Sequence, residues 1–119
     1  MKTENPVAEK SRAFAVRVVR LYQRLAAEKR EYVLSRQLLR SGTSIGANVH
    51  EALRAQSRAD FASKMGIALK DAQETDYWLD LLHETDYIDD AAFSTFQPLV
   101  GELLRLLTSI CKTANTPSP

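Results

Sequence analysis

Cysteine is nearly absent from this chain of 119 residues: Cys111 stands alone, so no disulfide can form within it. Nothing in the sequence favours an oxidising compartment, and a reducing cytoplasm is the expected location. Long apolar runs are missing too. No segment approaches the roughly 18 uninterrupted apolar residues of a membrane span. The opening MKTENPVAEKSR is charged and lacks an apolar h-region, so no signal peptide is expected either.

Histidine occurs only twice, which narrows the metal chemistry available. Carboxylate-bridged di-metal bundles need Glu-x-x-His on two helices, whereas His50 is preceded at that spacing by Ala47 and His83 by Asp80. His50-Glu51 and His83-Glu84 also lack the second histidine of a zinc-protease helix. Gly42-Thr-Ser-Ile-Gly46 is not a phosphate loop, because no Lys-Ser or Lys-Thr follows and no strand precedes it. Cys111 lies in an apolar turn with no histidine nearby in sequence, and is expected to fill the core rather than attack a substrate. No catalytic, metal-binding or cofactor-binding residue is expected.

Net charge is small as well, at +1, but it hides an asymmetry. Residues 1–58 carry 12 Lys/Arg against 5 Asp/Glu, a balance of +7, and residues 59–119 carry 4 against 10, a balance of −6. Two readings follow. The halves complement each other within or between subunits, or a basic face is left for a polyanion.

What the chain has in quantity is apolar residues at helical spacing. With 45% hydrophobic composition, one domain spanning 1–119 is expected, with flexible ends at 1–5 and 115–119. Four helices follow from the pattern. Asn5-Pro6 reads as an N-cap followed by proline at the first helical position, and Val7, Ser11, Phe14, Val18, Leu21 and Leu25 then alternate spacings of four and three. A second helix, from about Tyr32 to Gln56, keeps the same seam at Leu34, Leu38, Ser41, Ile45, Asn48 and Ala52. Ser57 and Asp60 have the spacing of a capping box at the start of a third helix, with a seam of Phe61, Met65, Ala68, Ala72, Thr75, Leu79 and Leu82. Residues 86–90 connect to a fourth, capped by Asp89, with Phe93, Phe96, Val100, Leu103, Leu104, Leu107 and Ile110 inside. Pro98 and Gly101 predict that this last helix is kinked near Pro98 or becomes regular only there. Short connections favour an all-α, antiparallel up-down four-helix bundle.

Three helices carry more apolar surface than one bundle core requires. Val16 and Val19 lie away from the first seam. Leu39, Gly42, Gly46, Val49 and Leu53 form a second stripe on the second helix, where two glycines suggest a notch for a neighbouring backbone. Ile67, Trp78 and Leu81 do the same on the third helix. These ten are the candidate oligomer contacts, and different patches meeting head to tail close into rings. The competing reading is ordinary core in a thick monomeric bundle. Ser41, Ser44 and Asn48 are expected to form a buried polar network that sets helix register. Lys10, Arg17, Arg20 and Arg24 on the first helix, with Arg36 and Arg40 on the second, form the candidate nucleic-acid face for RNA or DNA. Aromatics beside those arginines are few, Tyr22 and Tyr32 at most, which speaks against sequence-specific single-strand recognition.

The stretch SRQLLRSGTSIGANVHEA, followed by SRADFASKMGIALKDAQETDYWLDLL, resembles the four-helix-bundle family of the 23S rRNA-intervening-sequence type. Its most specific elements are Ser41, Gly42, Ser44, Ile45, Asn48, Glu51 and Ala52, then Phe61, Glu74, Tyr77, Trp78 and Leu79. The resemblance implies a small bacterial cytosolic protein that assembles as a ring-shaped homopentamer and has no established enzyme activity. A distant similarity extends to the accessory variability determinant of diversity-generating retroelements, which works with a reverse transcriptase and binds nucleic acid through basic surfaces. The near-neutral charge of this chain departs from that relative. Expected partners are therefore further copies of itself and an unknown protein, with RNA or DNA as the alternative and no membrane.

Overall fold

A computed structural model of the chain describes residues 5–117, which form four α-helices and no strand: α1 (Pro6–Arg24), α2 (Leu34–Ala52), α3 (Arg58–Glu84) and α4 (Asp90–Ala114). Local chemistry sets three of the four starts. The Asn5 side chain accepts from Ala8 N at 3.1 Å with Pro6 opening the helix. The Ser57 hydroxyl accepts from Asp60 N at 3.0 Å, and Asp89 accepts from Ala92 N at 2.8 Å. Each cap satisfies a donor that the first helical turn leaves unpaired.

Cross-helix contacts give the topology. Cβ positions at Gly42 and Gly46 meet Val18 and Ser11, so α1 and α2 run in opposite directions. The pairs Arg40–Glu74 and Glu51–Lys64 make α2 and α3 antiparallel. Arg58 reaches the Thr116 carbonyl at one end of the α3–α4 pair while His83 meets Asp90 at the other. Phe14 packs edge-on against Phe96, with centroids 6.1 Å apart, and Lys10 pairs with Glu102 at 3.1 Å, which closes α4 onto α1. The result is the up-down bundle.

The seams are the core. Val7, Phe14, Val18, Leu21 and Leu25 from the first helix join Leu38, Ile45, Met65, Ala68, Ala72, Leu79, Leu82, Phe96, Val100, Leu103 and Leu107, all buried. Ile88, in the α3–α4 connection, joins them from outside any helix.

Several expectations are corrected. Pro98 does not delay α4, which is helical from Asp90. Proline removes the donor to the Ser94 carbonyl, but Ser94 and Pro98 both lie on the exposed side, where the carbonyl is open to solvent. α2 ends at Ala52 rather than near Gln56, because Arg54 N and Ala55 N bond three residues back and tighten the chain into a turn. After Arg24 the helix widens into a single π-turn, Leu25–Lys29, closed by a left-handed Arg30 (φ 53°). At the two ends of the described part, Asn5 caps α1 and Arg58 donates to the Thr116 carbonyl at 2.6 Å. Residues 1–4 and 118–119 lie outside the described part.

The start of α2 has a cap that periodicity does not reveal. Glu31 follows the π-turn, is nearly buried, and its carboxylate accepts from Val33 N at 3.1 Å, Leu34 N at 3.0 Å and Ser35 N at 2.7 Å. The Ser35 hydroxyl answers by donating to the Glu31 carbonyl at 2.6 Å. Burial alone pushes the Glu31 carboxyl up, but the backbone donors of Ser35, Leu34 and Val33 and the Ser35 hydroxyl together hold it below its ordinary value of 4.5.

The polar network exists with different partners. Ser41 does not join Ser44 and Asn48 in a chain along α2; its hydroxyl pairs with that of Thr75 on α3 at 2.9 Å, both fully buried. Asn48 donates to Asp71 on α3 at 3.1 Å and to the Ser44 carbonyl at 3.0 Å, and Thr75 bonds the Asp71 carbonyl at 2.7 Å. The network thus ties two helices together, because antiparallel packing brings Ser41 level with Thr75. Thr75→Val should cost about 1 kcal/mol by leaving the buried Ser41 hydroxyl without its partner, and adding Ser41→Ala should recover most of it. Urea melts of the two variants check this; equal losses in single and double mutants would contradict it.

Candidate interaction surfaces

The second stripe of α2 divides in two. Gly42 and Val49 are buried inside the subunit, and a Cβ on Gly42 would lie 2.9 Å from both γ-methyls of Val18. A Cβ on Gly46 would meet the Ser11 carbonyl oxygen at 3.3 Å. The glycine notch is therefore filled by α1 of the same chain, with Gly42 and Val49 buried and Gly46 left half-buried at the edge of a groove. Leu39 is half-buried against the core. Leu53, beyond the end of α2, stays 44% exposed.

Other candidates remain on the outside. Val16 is 46% and Val19 36% exposed on the outward face of α1, where Arg12, Ala15, Arg20 and Gln23 complete a shallow groove. A second groove, lined by Ala8, Thr43, Ala47, His50 and Leu53, joins it at Arg12 and Ala15. On α3, Ile67 is 43% and Tyr77 58% exposed, while Trp78 and Leu81 are half-buried. Trp78 donates its indole N–H to Glu74 at 2.9 Å and stacks edge-on with Tyr77 at 5.1 Å. Tyr77 escaped the apolar stripe read from sequence because its ring is amphipathic; its position one turn before Leu81 was the available signal. Arg12 was also missed, although it lies one turn before Val16.

The basic face is partly spent inside the subunit. Lys10 pairs with Glu102, and Arg40 pairs with Glu74 as well as Gln37. Both pairs join the basic first half to the acidic second half. Arg17, Arg20, Arg24 and Arg36 are exposed and form no ion pair among the described residues.

Local chemistry elsewhere is structural. The His83 ring stacks on Phe93 at 4.1 Å and its Nε2 meets Asp90 at 2.7 Å, fastening the α3–α4 turn. Burial pushes the half-buried Cys111 thiol up, which disfavours the nucleophilic thiolate. Among the described residues no three His, Cys, Asp or Glu side chains are placed to hold a metal, and no helix is long and apolar enough to cross a membrane. At the π-turn end a cavity of about 540 Å³ is lined by Arg24, Glu28, Lys29, Asp86, Tyr87 and Asp89, whose opposite charges offset one another.

The fold has a close counterpart. A crystal structure of a protein of unknown function from the S23 ribosomal protein family of Bacteroides thetaiotaomicron shares 54% sequence identity, with a TM-score of 0.87, over 89% of this chain and 98% of that one. No curated protein matches the chain. The family model for the 23S rRNA-intervening sequence protein matches residues 3–109, which takes in all of α1, α2 and α3 and most of α4. On that match and the shared bundle, the chain belongs to the 23S rRNA-intervening sequence protein family.

Proposed function

We propose that this chain is a non-enzymatic interaction protein that works as a self-assembled ring of copies, a pentamer by resemblance, offering its outer surfaces to a protein partner. The observation that carries this reading is the outward stripe of α1. Val16 and Val19 are 46% and 36% exposed on a helix that already buries a complete seam of its own. An amphipathic helix in a solitary bundle needs only one apolar stripe, so the second one is best explained by a surface another copy covers. Sedimentation or light scattering at micromolar concentration tests the reading: a particle several times the 13.4 kDa subunit mass is expected. A stable monomer would refute it.

A second reading has its own support. Arg17, Arg20, Arg24 and Arg36 remain exposed with no ion pair among the described residues, as phosphate contacts would require. Binding of structured RNA or duplex DNA that weakens steeply with added salt is then expected. No binding at low salt removes it.

A further inference from the structure

Local chemistry argues against Asp86 twice. It follows the Thr85 cap of α3 with a left-handed backbone, φ 66°, at a position that favours glycine. A carboxylate there also stands at the negative end of the α3 dipole, where a cation would be favoured. Its side chain makes no hydrogen bond or ion pair among the described residues, so no contact within the subunit offsets either cost. Arg30, the other left-handed residue among the described ones, closes the π-turn at the same end of the bundle. Strained backbone and π-turns gather where side chains must be aimed.

Asp86 borders the cavity of about 540 Å³ between the π-turn and the α3–α4 connection. Leu25 and Ile88, both nearly fully buried, give it an apolar floor, half-buried Tyr87 stands beside them, and the small side chains of Ala91 and Ala92 leave it open. Arg24 and Lys29 stand on the α1 side together with Glu28, a balance of +1, and Asp86 and Asp89 stand on the connection, a balance of −2. These charges offset one another in sum but not in pairs. None of the five forms an ion pair among the described residues, so cations and carboxylates border one space from opposite elements without touching. Arg24, Lys29 and Asp89 each suit the helix end they stand on, and Asp89 also caps α4. Asp86 has no such reason.

We propose that this cavity binds a zwitterion, a small molecule with an ammonium and a carboxylate on an apolar body, the chemistry shared by free amino acids and short peptides. Arg24 and Lys29 take the carboxylate, Asp86 and Asp89 the ammonium, and the body lies over Leu25, Tyr87 and Ile88. A volume of this size suits such a ligand, and an apolar floor with a few placed polar groups is the usual form of a small-molecule site. A molecule bearing one charge would leave the opposite wall unanswered; one bearing both answers each wall. The site lies within one subunit and does not depend on self-assembly.

Chemical-shift titration of the full chain tests the assignment, with free leucine, the dipeptide leucyl-leucine and its acetylated, amidated form as probes. The two zwitterions should move the signals of Leu25, Ile88 and Ala92 with a Kd of about 1 mM that weakens as salt is added. The capped dipeptide has the same body without the charges and should bind about tenfold more weakly or worse. The tighter of the two zwitterions identifies the source, amino acid or peptide. Asp86→Gly separates binding from folding: glycine suits φ 66°, so the variant should melt no lower than the wild type, yet bind the zwitterions about tenfold more weakly. Arg24→Gln should lose binding to a similar extent with the fold retained. Signals unmoved by either zwitterion at about 10 mM, capped and free dipeptides binding alike, or Asp86→Gly binding as the wild type does, would each overturn the proposal. Self-assembly is read separately from the native mass, so either result can fail without the other.

Discussion

Gly42→Leu should lower the stability of the subunit by about 3 kcal/mol, roughly 10 °C in melting temperature, although leucine is the better helix former. Even the first added carbon would stand 2.9 Å from both γ-methyls of Val18, far inside contact distance. Val18 cannot swing aside: it is fully buried, and a β-branched side chain in a helix has one strongly preferred rotamer. The helices must therefore part, and α1–α2 packing is lost along with neighbouring contacts at Gly46 and Ser11. The milder Gly42→Ala makes the mechanism separable. Alone it should cost about 1 to 2 kcal/mol net of its helical gain. Combined with Val18→Ala, which opens the space it needs, it should cost clearly less than the sum of the two single changes. Chemical denaturation of all three variants measures the coupling; strict additivity would show that Gly42 and Val18 do not contend for one volume.

Removing the carboxylate of Glu31 should cost about 2 kcal/mol at neutral pH in Glu31→Gln and somewhat more in Glu31→Ala. Three backbone donors at the head of α2 lose a charged acceptor, and the Ser35 hydroxyl remains bonded to the carbonyl of residue 31. The dependence on pH follows from the direction of the shift. The folded carboxyl titrates below its ordinary value of 4.5, so its contribution is complete above that value and is lost as pH falls through the lower, folded one. The gap between wild type and Glu31→Gln should accordingly be widest at neutral pH and close in acid. Asp71 and Asp76 act with the opposite sign. Burial first, and then the charge of Glu74 on Asp71 and of Asp80 on Asp76, hold both above the ordinary 3.8, with Asn48 and Arg40 acting against this on Asp71. Protonating them relieves the folded state in wild type and Glu31→Gln alike, so they leave the gap between the two unchanged and Glu31 alone sets how it closes. A gap that stayed constant from neutral to acid pH would mean that Glu31 caps α2 through shape alone.

These two sites differ in how well the sequence announces them. The seams are legible because a spacing of three and four residues has one mechanical meaning, and Val7, Phe14, Val18, Leu38, Ile45, Met65, Leu79, Val100 and Leu107 are all buried where the spacing places them. The caps at Asn5, Ser57 and Asp89 are legible for the same kind of reason, since each is a local contest for a backbone donor decided within four residues. Glu31 is not, because glutamate three residues ahead of a helix caps it only when the intervening turn folds back. That fold depends on the π-turn and a left-handed Arg30.

Of this protein, the order of residues determined the four helices, their inward stripes, the local caps and the family. All of these arise from interactions along one helix or one turn, which repeat whatever the surroundings. Only the tertiary structure decided which neighbour occupies each outward feature. It put Val18 into the Gly42 notch, matched Ser41 with Thr75 and Asn48 with Asp71 across two helices, and left Gly66 open. A glycine's missing side chain reads identically whether the space is taken by the same chain, by another copy or by water. The distinction belongs to residues far away in sequence, brought alongside by antiparallel packing.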